Sequence, residues 1–188
     1  MTTTRNTRDD VISAAGRLFA ERGYHGTSMR HLGNELGLLG SSLYSHVTSK
    51  EDLLVEVVER GAELFEAAAA RAGAVDGSGA DRLLALIIGH VEVVVDHLDE
   101  VRTYLNEARF LEPGHRGRIV AARDAYEAEF RAAIADGLAD GSLQWAVDPK
   151  LGGIMVLSIL NALERWYDPE GPLDTRRLVD QIWAFVGD

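Results

Sequence analysis

Apolar positions recur with a helical period along nearly the whole chain. Val11, Ala15, Leu18 and Phe19 form one stripe, which predicts a first helix opened by Thr7 and ended by Gly23. Asp9 and Asp10 fall near its positive end, where a carboxylate is favourable. Met29, Leu32 and Leu36 then recur at i, i+3 and i+7, predicting a short second helix with Thr27 as candidate N-cap. Gly37 stands where a left-handed residue ends a helix without steric cost. Leu38 returns apolar surface to the core, and another short helix is predicted over about 39–46. In that helix Leu43 and Val47 share one face, Ser41 and Ser45 point the opposite way, and Ser42, Tyr44 and His46 flank them. Small hydrogen-bonding side chains facing outward contribute little to folding, but they suit the major groove of DNA, which admits a helix.

A long helix follows to about residue 72, carrying Leu53, Leu54, Val57, Val58, Leu64 and Phe65, with Ser49 as cap and Asp52 in the reciprocal position. Residues 73–80, GAVDGSGA, read as a loop. The stretch 81–98 is apolar on nearly every side, as a central helix is. A shorter helix over 99–111 turns Val101, Tyr104, Leu105 and Ala108 inward, and 112–117, EPGHRG, breaks it. Residues 118–139 form a long amphipathic helix with Tyr126, Phe130, Ile134 and Leu138 on one side, followed by a turn at Gly141. Asp148 and Pro149 open a very apolar helix over 150–167 as N-cap and N1. Asp174 caps the last helix, whose apolar set is Leu178, Val179, Ile182, Trp183, Phe185 and Val186. The fold class is therefore all-α, with about nine helices. The final helix carries more apolar surface than one monomer readily hides. The last two helices, about 149–167 and 174–187, can pair with their own copies as a four-helix bundle; the alternative is that both are simply core.

Composition narrows the setting. The 188 residues are 46% hydrophobic and contain no cysteine, which excludes a disulfide framework, a thiolate zinc site and a cysteine nucleophile. The first ten residues lack an apolar signal region, and the longest apolar run, about 151–163, falls short of the roughly 20 residues a membrane helix takes. A cytoplasmic protein that avoids membranes is expected. Net charge is −11, but residues 1–50 hold six Lys/Arg against four Asp/Glu, leaving 13 against 26 for the rest. A DNA-binding module needs favourable charge only where it touches phosphate, and an acidic remainder keeps the bulk away. Residues 2–6, with Arg5, read as an arm able to reach DNA or as a tail without a role.

No enzyme is expected. His90 and His97 lie seven apart, about two turns, too far for one metal unaided. No serine-centred elbow, phosphate loop or dinucleotide fingerprint occurs, so neither a catalytic residue, a metal nor a cofactor is assigned. The later helices do carry unexpected polar groups: His90, Tyr104, Asn106, Glu107, Asn161 and Arg165. Such groups need partners when buried. They satisfy one another, or they line a ligand cavity between helices.

The run LFAERGYHGTSM, then LGLLGSSLYSHV, then SKEDLL resembles the helix-turn-helix of the TetR family of bacterial transcriptional regulators. Gly23, Gly26, Thr27, Gly37, Leu43, Tyr44, Ser49, Lys50, Leu53 and Leu54 carry the likeness. Leu39 stands where the family usually has a Ser or Thr cap, and Val47 where it usually has Phe; Gly40 and Ser45 replace positions often larger or basic. The resemblance implies a DNA-binding domain over 1–48 and a ligand-binding and dimerisation domain over 49–188. It implies a homodimeric regulator, by family habit a repressor, on a near-palindromic operator in double-stranded DNA. Ser41, Ser42, Tyr44, Ser45 and His46 are expected at the major groove. Thr27, Ser28, Arg30, Tyr44 and Lys50 are expected at phosphates. Lys50 opens a helix, the wrong end for a cation, and a phosphate partner accounts for it.

The phrases TYLNEARFL, GLADGSL and ERWYDPEGPL further resemble a branch of that family responding to acyl-coenzyme A thioesters. The candidate ligand residues are His90, Tyr104, Glu107, Asn161 and Arg165; Arg165, with Arg116, Arg118 and Arg123, suits the anionic coenzyme. An uncharged or cationic drug-like lipophile is the alternative effector, and an acyl-CoA-binding enzyme on a helical scaffold is the rival of another class.

Overall fold

The computed structural model describes residues 7–38 and 40–187. Among them lie nine α-helices and a 3-10 turn: α1 (Arg8–Gly26), α2 (Met29–Leu36), α3 (Gly40–Leu43), α4 (Lys50–Gly73), α5 (Gly79–Asp96), α6 (Leu98–Asn106), the 3-10 turn (Ala108–Phe110), α7 (Pro113–Asp140), α8 (Pro149–Trp166) and α9 (Thr175–Val186). The described residues contain no strand, so the all-helical expectation holds. The arm over residues 2–6 and the cap position Leu39 lie outside the described residues.

The chain divides into two units. One comprises the described part of Met1–Ala62 together with Asp99–Ile119; the other comprises Glu63–Leu98 with the described part of Val120–Asp188. Both α4 and α7 contribute residues to each unit.

The first unit starts with a reciprocal cap. The Thr7 hydroxyl accepts from the Asp10 amide while the Asp10 carboxylate accepts from the Thr7 amide at 2.6 Å, which holds the Asp10 carboxyl below the usual carboxylate range. Val11, Ala15, Leu18 and Phe19 are buried as the stripe requires. Helix α1 breaks at Gly23, whose φ of 73° and ψ of 161° are not helical; glycine takes that conformation without the Cβ penalty of other residues. The cap of α2 is Ser28 rather than Thr27, with His31 completing the reciprocal pair. Gly37 ends α2 in the left-handed conformation, φ 64°, and the Leu38 amide bonds back to the Gly33 carbonyl.

Helix α3 is shorter than the predicted 39–46. After Leu43 the chain continues in turns, with the Ser45 amide on the Ser42 carbonyl, and His46 and Val47 both on that of Leu43. The Ser45 hydroxyl donates to the same Ser42 carbonyl at 2.7 Å, competing with helical continuation as serine commonly does. Ser49 caps α4 as expected, accepting from the Asp52 amide. In the same unit α6 crosses α4 closely at Gly61, where a Cβ would lie 2.7 Å from that of Tyr104.

The second unit is built on α5, which packs on α8 and α9. Ser78 caps α5 with Asp81, so this helix starts two residues before the predicted 81. Its N-terminus meets α7 backbone to backbone: a Cβ on Gly79 would sit 1.9 Å from the Gly137 nitrogen. Helix α7 runs through the predicted break at 112–117, because Pro113 opens it where a missing N–H costs nothing. The predicted helix 99–111 instead ends at Asn106 and gives way to the 3-10 turn. Asp148 with Pro149, and Asp174, cap α8 and α9 as expected. No helix among the described residues is long and apolar enough to cross a membrane.

Candidate nucleic-acid interface

The pair α2 and α3, joined through Gly37, has an apolar underside and a polar outer side. Leu32 and Leu43 are fully buried and Val47 nearly so, while Arg30, Ser42, Ser45 and Tyr44 are exposed, Tyr44 by 55% of its surface. Ser41 lies within α3 and His46, half-buried, in the turn after it. Exposing a tyrosine while burying its neighbour Leu43 costs apolar burial and leaves a ring and hydroxyl for a partner. The His46 carbonyl accepts from the Arg8 guanidinium at 3.4 Å, and Arg8 also pairs with Glu56 on α4. The turn after α3 is thereby held from α1, whose Arg17 pairs with Glu35 of α2 at 2.7 Å.

Two residues expected at phosphates have work inside the protein. The Thr27 hydroxyl is buried and shares its single proton between the Leu18 and Gly23 carbonyls, each at 3.0 Å, across the α1 break. The Lys50 ammonium donates to the Tyr24 carbonyl at 2.9 Å and to the Thr27 carbonyl at 3.0 Å. It also lies 4.1 Å above the Tyr24 ring. A cation at the start of α4 is therefore explained locally: it neutralises the carbonyl end of α1. Ser28, the α2 cap, is half-buried.

The five candidate ligand residues are divided between the two units. Tyr104 and Glu107 fall in the first unit. Tyr104 is buried, and the Glu107 carboxylate accepts from the Tyr24 amide at 2.6 Å. His90, Asn161 and Arg165 fall in the second unit. His90 is buried among Phe65 and Tyr126 with ring centroids 4.7 and 5.9 Å away. Its Nδ1 meets the Tyr126 hydroxyl at 3.3 Å and its Nε2 has no hydrogen-bond partner. Burial pushes its pKa down to about 3, so the imidazole is neutral, with one ring nitrogen a donor and the other an acceptor. Asn161 is half-buried. Arg165 is on the surface, 79% exposed, against Glu164 at 3.4 Å. Of the basic cluster, Arg116 is exposed and Arg118 pairs with Glu59 at 2.6 Å. Beside Tyr126 a cleft of about 370 Å³ is lined by Glu66, Ala69, Ala70, Gly73, Ala125, Tyr126 and Glu129.

Three side chains with notable burial or contacts are not marked by the sequence pattern. Thr103 is fully buried and donates to the Gly16 carbonyl at 3.1 Å; Glu164 is buried beside exposed Arg165. Phe110, outside every predicted apolar stripe, stacks on Tyr24 at 6.1 Å. For Thr103 and Phe110 the partner is too distant in sequence for periodicity to reveal it.

Residues 11–57 match the family described as bacterial regulatory proteins, tetR family, and residues 76–188 match the tetracyclin repressor-like C-terminal domain. The HTH-type transcriptional repressor KstR2 of Mycolicibacterium smegmatis is 27% identical, over 95% of this chain and 88% of its own. The structure of the TetR-family regulator PfmR from Thermus thermophilus superposes with a TM-score of 0.86, at 30% identity over 94% of this chain and 96% of the other. The structure of AibR in complex with isovaleryl coenzyme A and operator DNA gives a TM-score of 0.85, at 26% identity over 96% and 97%. With both domains matched and an exposed polar helix-turn-helix face seated on a buried apolar one, the chain belongs to the tetR family of bacterial transcriptional regulators.

Proposed function

We propose that the protein is an effector-released transcriptional repressor that binds a near-palindromic operator as a homodimer. The observation that carries this reading is the α2–Gly37–α3 geometry, with Leu32, Leu43 and Val47 inward and Arg30, Ser42, Tyr44 and Ser45 outward. Residues 1–48 then form the operator-binding segment and 49–188 serve ligand binding and dimerisation. Ser41, Ser42, Tyr44, Ser45 and His46 read the major groove. Ser28, Arg30 and Tyr44 hold phosphates, which position the protein without specifying bases. Lys50 contributes with its remaining N–H, and Thr27 by keeping the α1–α2 corner closed.

Dimerisation is supported by the apolar side chains left in the open on α8 and α9. Leu151, Ile154 and Met155 recur on one side of α8, Trp166 ends it, and Phe185 on α9 is 78% exposed. Surface of this kind marks an interface, and a two-fold pairing of α8 and α9 covers it. Two heads related in this way meet half-sites about 34–36 Å apart.

The effector is an acyl-coenzyme A thioester. Its support is the likeness to AibR, whose structure contains isovaleryl coenzyme A with operator DNA. His90 and Asn161 on α5 and α8 are the polar anchors in the second unit, and exposed Arg165 is available to an anionic coenzyme. Release requires that the thioester bind the non-operator state better than the operator-bound one. The protein is a regulator and no catalytic step is assigned to it. A second reading, a cationic lipophile, has one observation in its favour: carboxylates of Glu66 and Glu129 flank the Tyr126 cleft.

Titration of the thioesters and of a lipophilic cation into a protein–operator complex tests this reading. Release by a thioester supports the first effector, release by the cation the second. A protein that selects no operator at all contradicts the repressor reading.

A further inference from the structure

The Tyr24 peptide is held from both sides by elements distant in sequence. Because Gly23 leaves the helical conformation, the Tyr24 N–H loses the carbonyl four residues back that a helix would supply. An amide in this position needs another acceptor. The Glu107 carboxylate takes that place at 2.6 Å, across 83 residues of sequence. Glu107 is itself 8% exposed, one of few buried carboxylates, and its own amide is fixed on the Thr103 carbonyl at 2.9 Å. On the other side of the peptide, the Tyr24 carbonyl accepts from Lys50. The Tyr24 ring lies between Phe19 and Phe110, with the Lys50 cation over its face.

Helix α6 supplies the rest of the grip, since the Thr103 hydroxyl anchors it on the Gly16 carbonyl of α1 at 3.1 Å. Thus α6, through Thr103, and the residue just after it, Glu107, reach the α1 backbone at two places, about two helical turns apart in sequence. The chain leaves Tyr24 and reaches the α2 cap, Ser28, only four residues later. The direction set at Tyr24 is therefore the direction in which the helix-turn-helix begins.

We propose that Glu107 is a positioning residue for operator binding: by accepting the Tyr24 amide it fixes the bend at Gly23, and with it the placement of α2 and α3. This inference rests on the reading of that helix-turn-helix as the operator-binding element. The carboxylate acts as a geometric acceptor; its negative charge has no part in contacting DNA, which a carboxylate repels.

The test uses the full-length dimer and an operator duplex selected from random DNA by the wild-type protein. Glu107→Gln keeps an acceptor of the same reach without the charge. Glu107→Asp keeps the charge one methylene short, and Glu107→Ala removes both. Operator Kd and active fraction are measured separately, since mere misfolding lowers the fraction and leaves the Kd of the folded remainder unchanged. Exchange of the Tyr24 amide in ¹⁵N-labelled protein reports the bond itself. Expected are wild-type-like behaviour for Glu107→Gln and a Kd raised roughly tenfold or more for Glu107→Ala and Glu107→Asp, with faster Tyr24 exchange and full active fraction. Wild-type Kd in Glu107→Ala, tighter binding in Glu107→Gln and Glu107→Ala alike, or wild-type Tyr24 protection in Glu107→Ala overturns the inference alone. Failure of the wild-type protein to select any duplex overturns the proposed function and this inference with it.

Discussion

The Lys50 ammonium lies 4.1 Å above the Tyr24 ring and donates to the Tyr24 carbonyl at 2.9 Å, so that the first residue of α4 closes the last turn of α1. The same nitrogen reaches the Thr27 carbonyl at 3.0 Å. Lys50→Met keeps the aliphatic stem and removes the charge. Loss of a charge-assisted bond to partly buried carbonyls should lower unfolding stability by about 1.5–3 kcal/mol. Operator affinity should fall as well. Urea denaturation separates the two effects; unchanged stability would mean that Lys50 does not cap α1 in solution.

Tyr44 presents the opposite case. Its ring is more than half exposed while Leu43 beside it is fully buried. Tyr44→Ala should therefore change stability by less than about 0.5 kcal/mol, leave the dimer intact and abolish specific operator binding. Leu43→Ala should instead cost about 2–5 kcal/mol through a core cavity. Thermal melts, sedimentation and operator binding on the two variants distinguish a recognition residue from a support.

How far the sequence revealed this arrangement depends on the range of the interaction concerned. The α2–α3 face was legible because burial of Leu32, Leu43 and Val47 follows from local period, and Gly37 from a local φ requirement. Ser49, Asp148 and Asp174 were legible as caps because a cap bonds within three residues. Lys50 and Glu107 were not. Lys50 meets its partners 26 and 23 residues away, and Glu107 meets Tyr24 83 residues away. Sequence marked both as polar groups in need of a partner; only the fold shows that both bond the backbone of α1 and its end. The exposure of Arg165 was not legible either, since an apolar helix end does not say which side faces outward, and this side chain does.

His90 should impose a pH dependence on folding. Its folded pKa is pushed down to about 3 by burial, below an unfolded value of about 6.5. As pH falls between these values the unfolded chain takes up the proton first. The associated stability is therefore complete above about pH 6.5 and is lost progressively toward about pH 3, on the order of 5 kcal/mol over the whole window. Urea midpoints from pH 7.5 to 4.5 should fall less steeply in His90→Leu than in wild type. Parallel curves would mean that the imidazole is hydrated in solution.

Two glycines in helices should respond to alanine with opposite signs. At Gly79 a methyl would lie 1.9 Å from the Gly137 nitrogen, whereas at Gly114 nothing lies within 4 Å. Gly79→Ala should destabilise by about 1–3 kcal/mol or more through forced separation of α5 and α7. Gly114→Ala should stabilise by about 0.4–1 kcal/mol by restricting the unfolded chain. Calorimetry on the pair checks both, and equal shifts would contradict the close α5–α7 crossing.

The open apolar side chains of α8 and α9 bear on assembly. A charge at Met155 and Phe185, 57% and 78% exposed in the single chain, is easily hydrated in a monomer and costly in a dry interface. The double variant Met155→Glu, Phe185→Glu should fold normally but sediment as a monomer and bind a full operator far more weakly than wild type. A dimeric double variant would place the dimer interface elsewhere.

The central claim is that the α2–Gly37–α3 head holds an operator and that an acyl-coenzyme A thioester releases it. It is tested most directly by fluorescence anisotropy on DNA from upstream of the protein's own gene, with a scrambled duplex as control and isovaleryl coenzyme A among a panel of thioesters titrated into the complex. Saturable binding to the upstream duplex alone, reversed by a thioester and not by free coenzyme A, is the result this account expects. Equal binding to both duplexes, or a complex that no thioester disturbs, would contradict it.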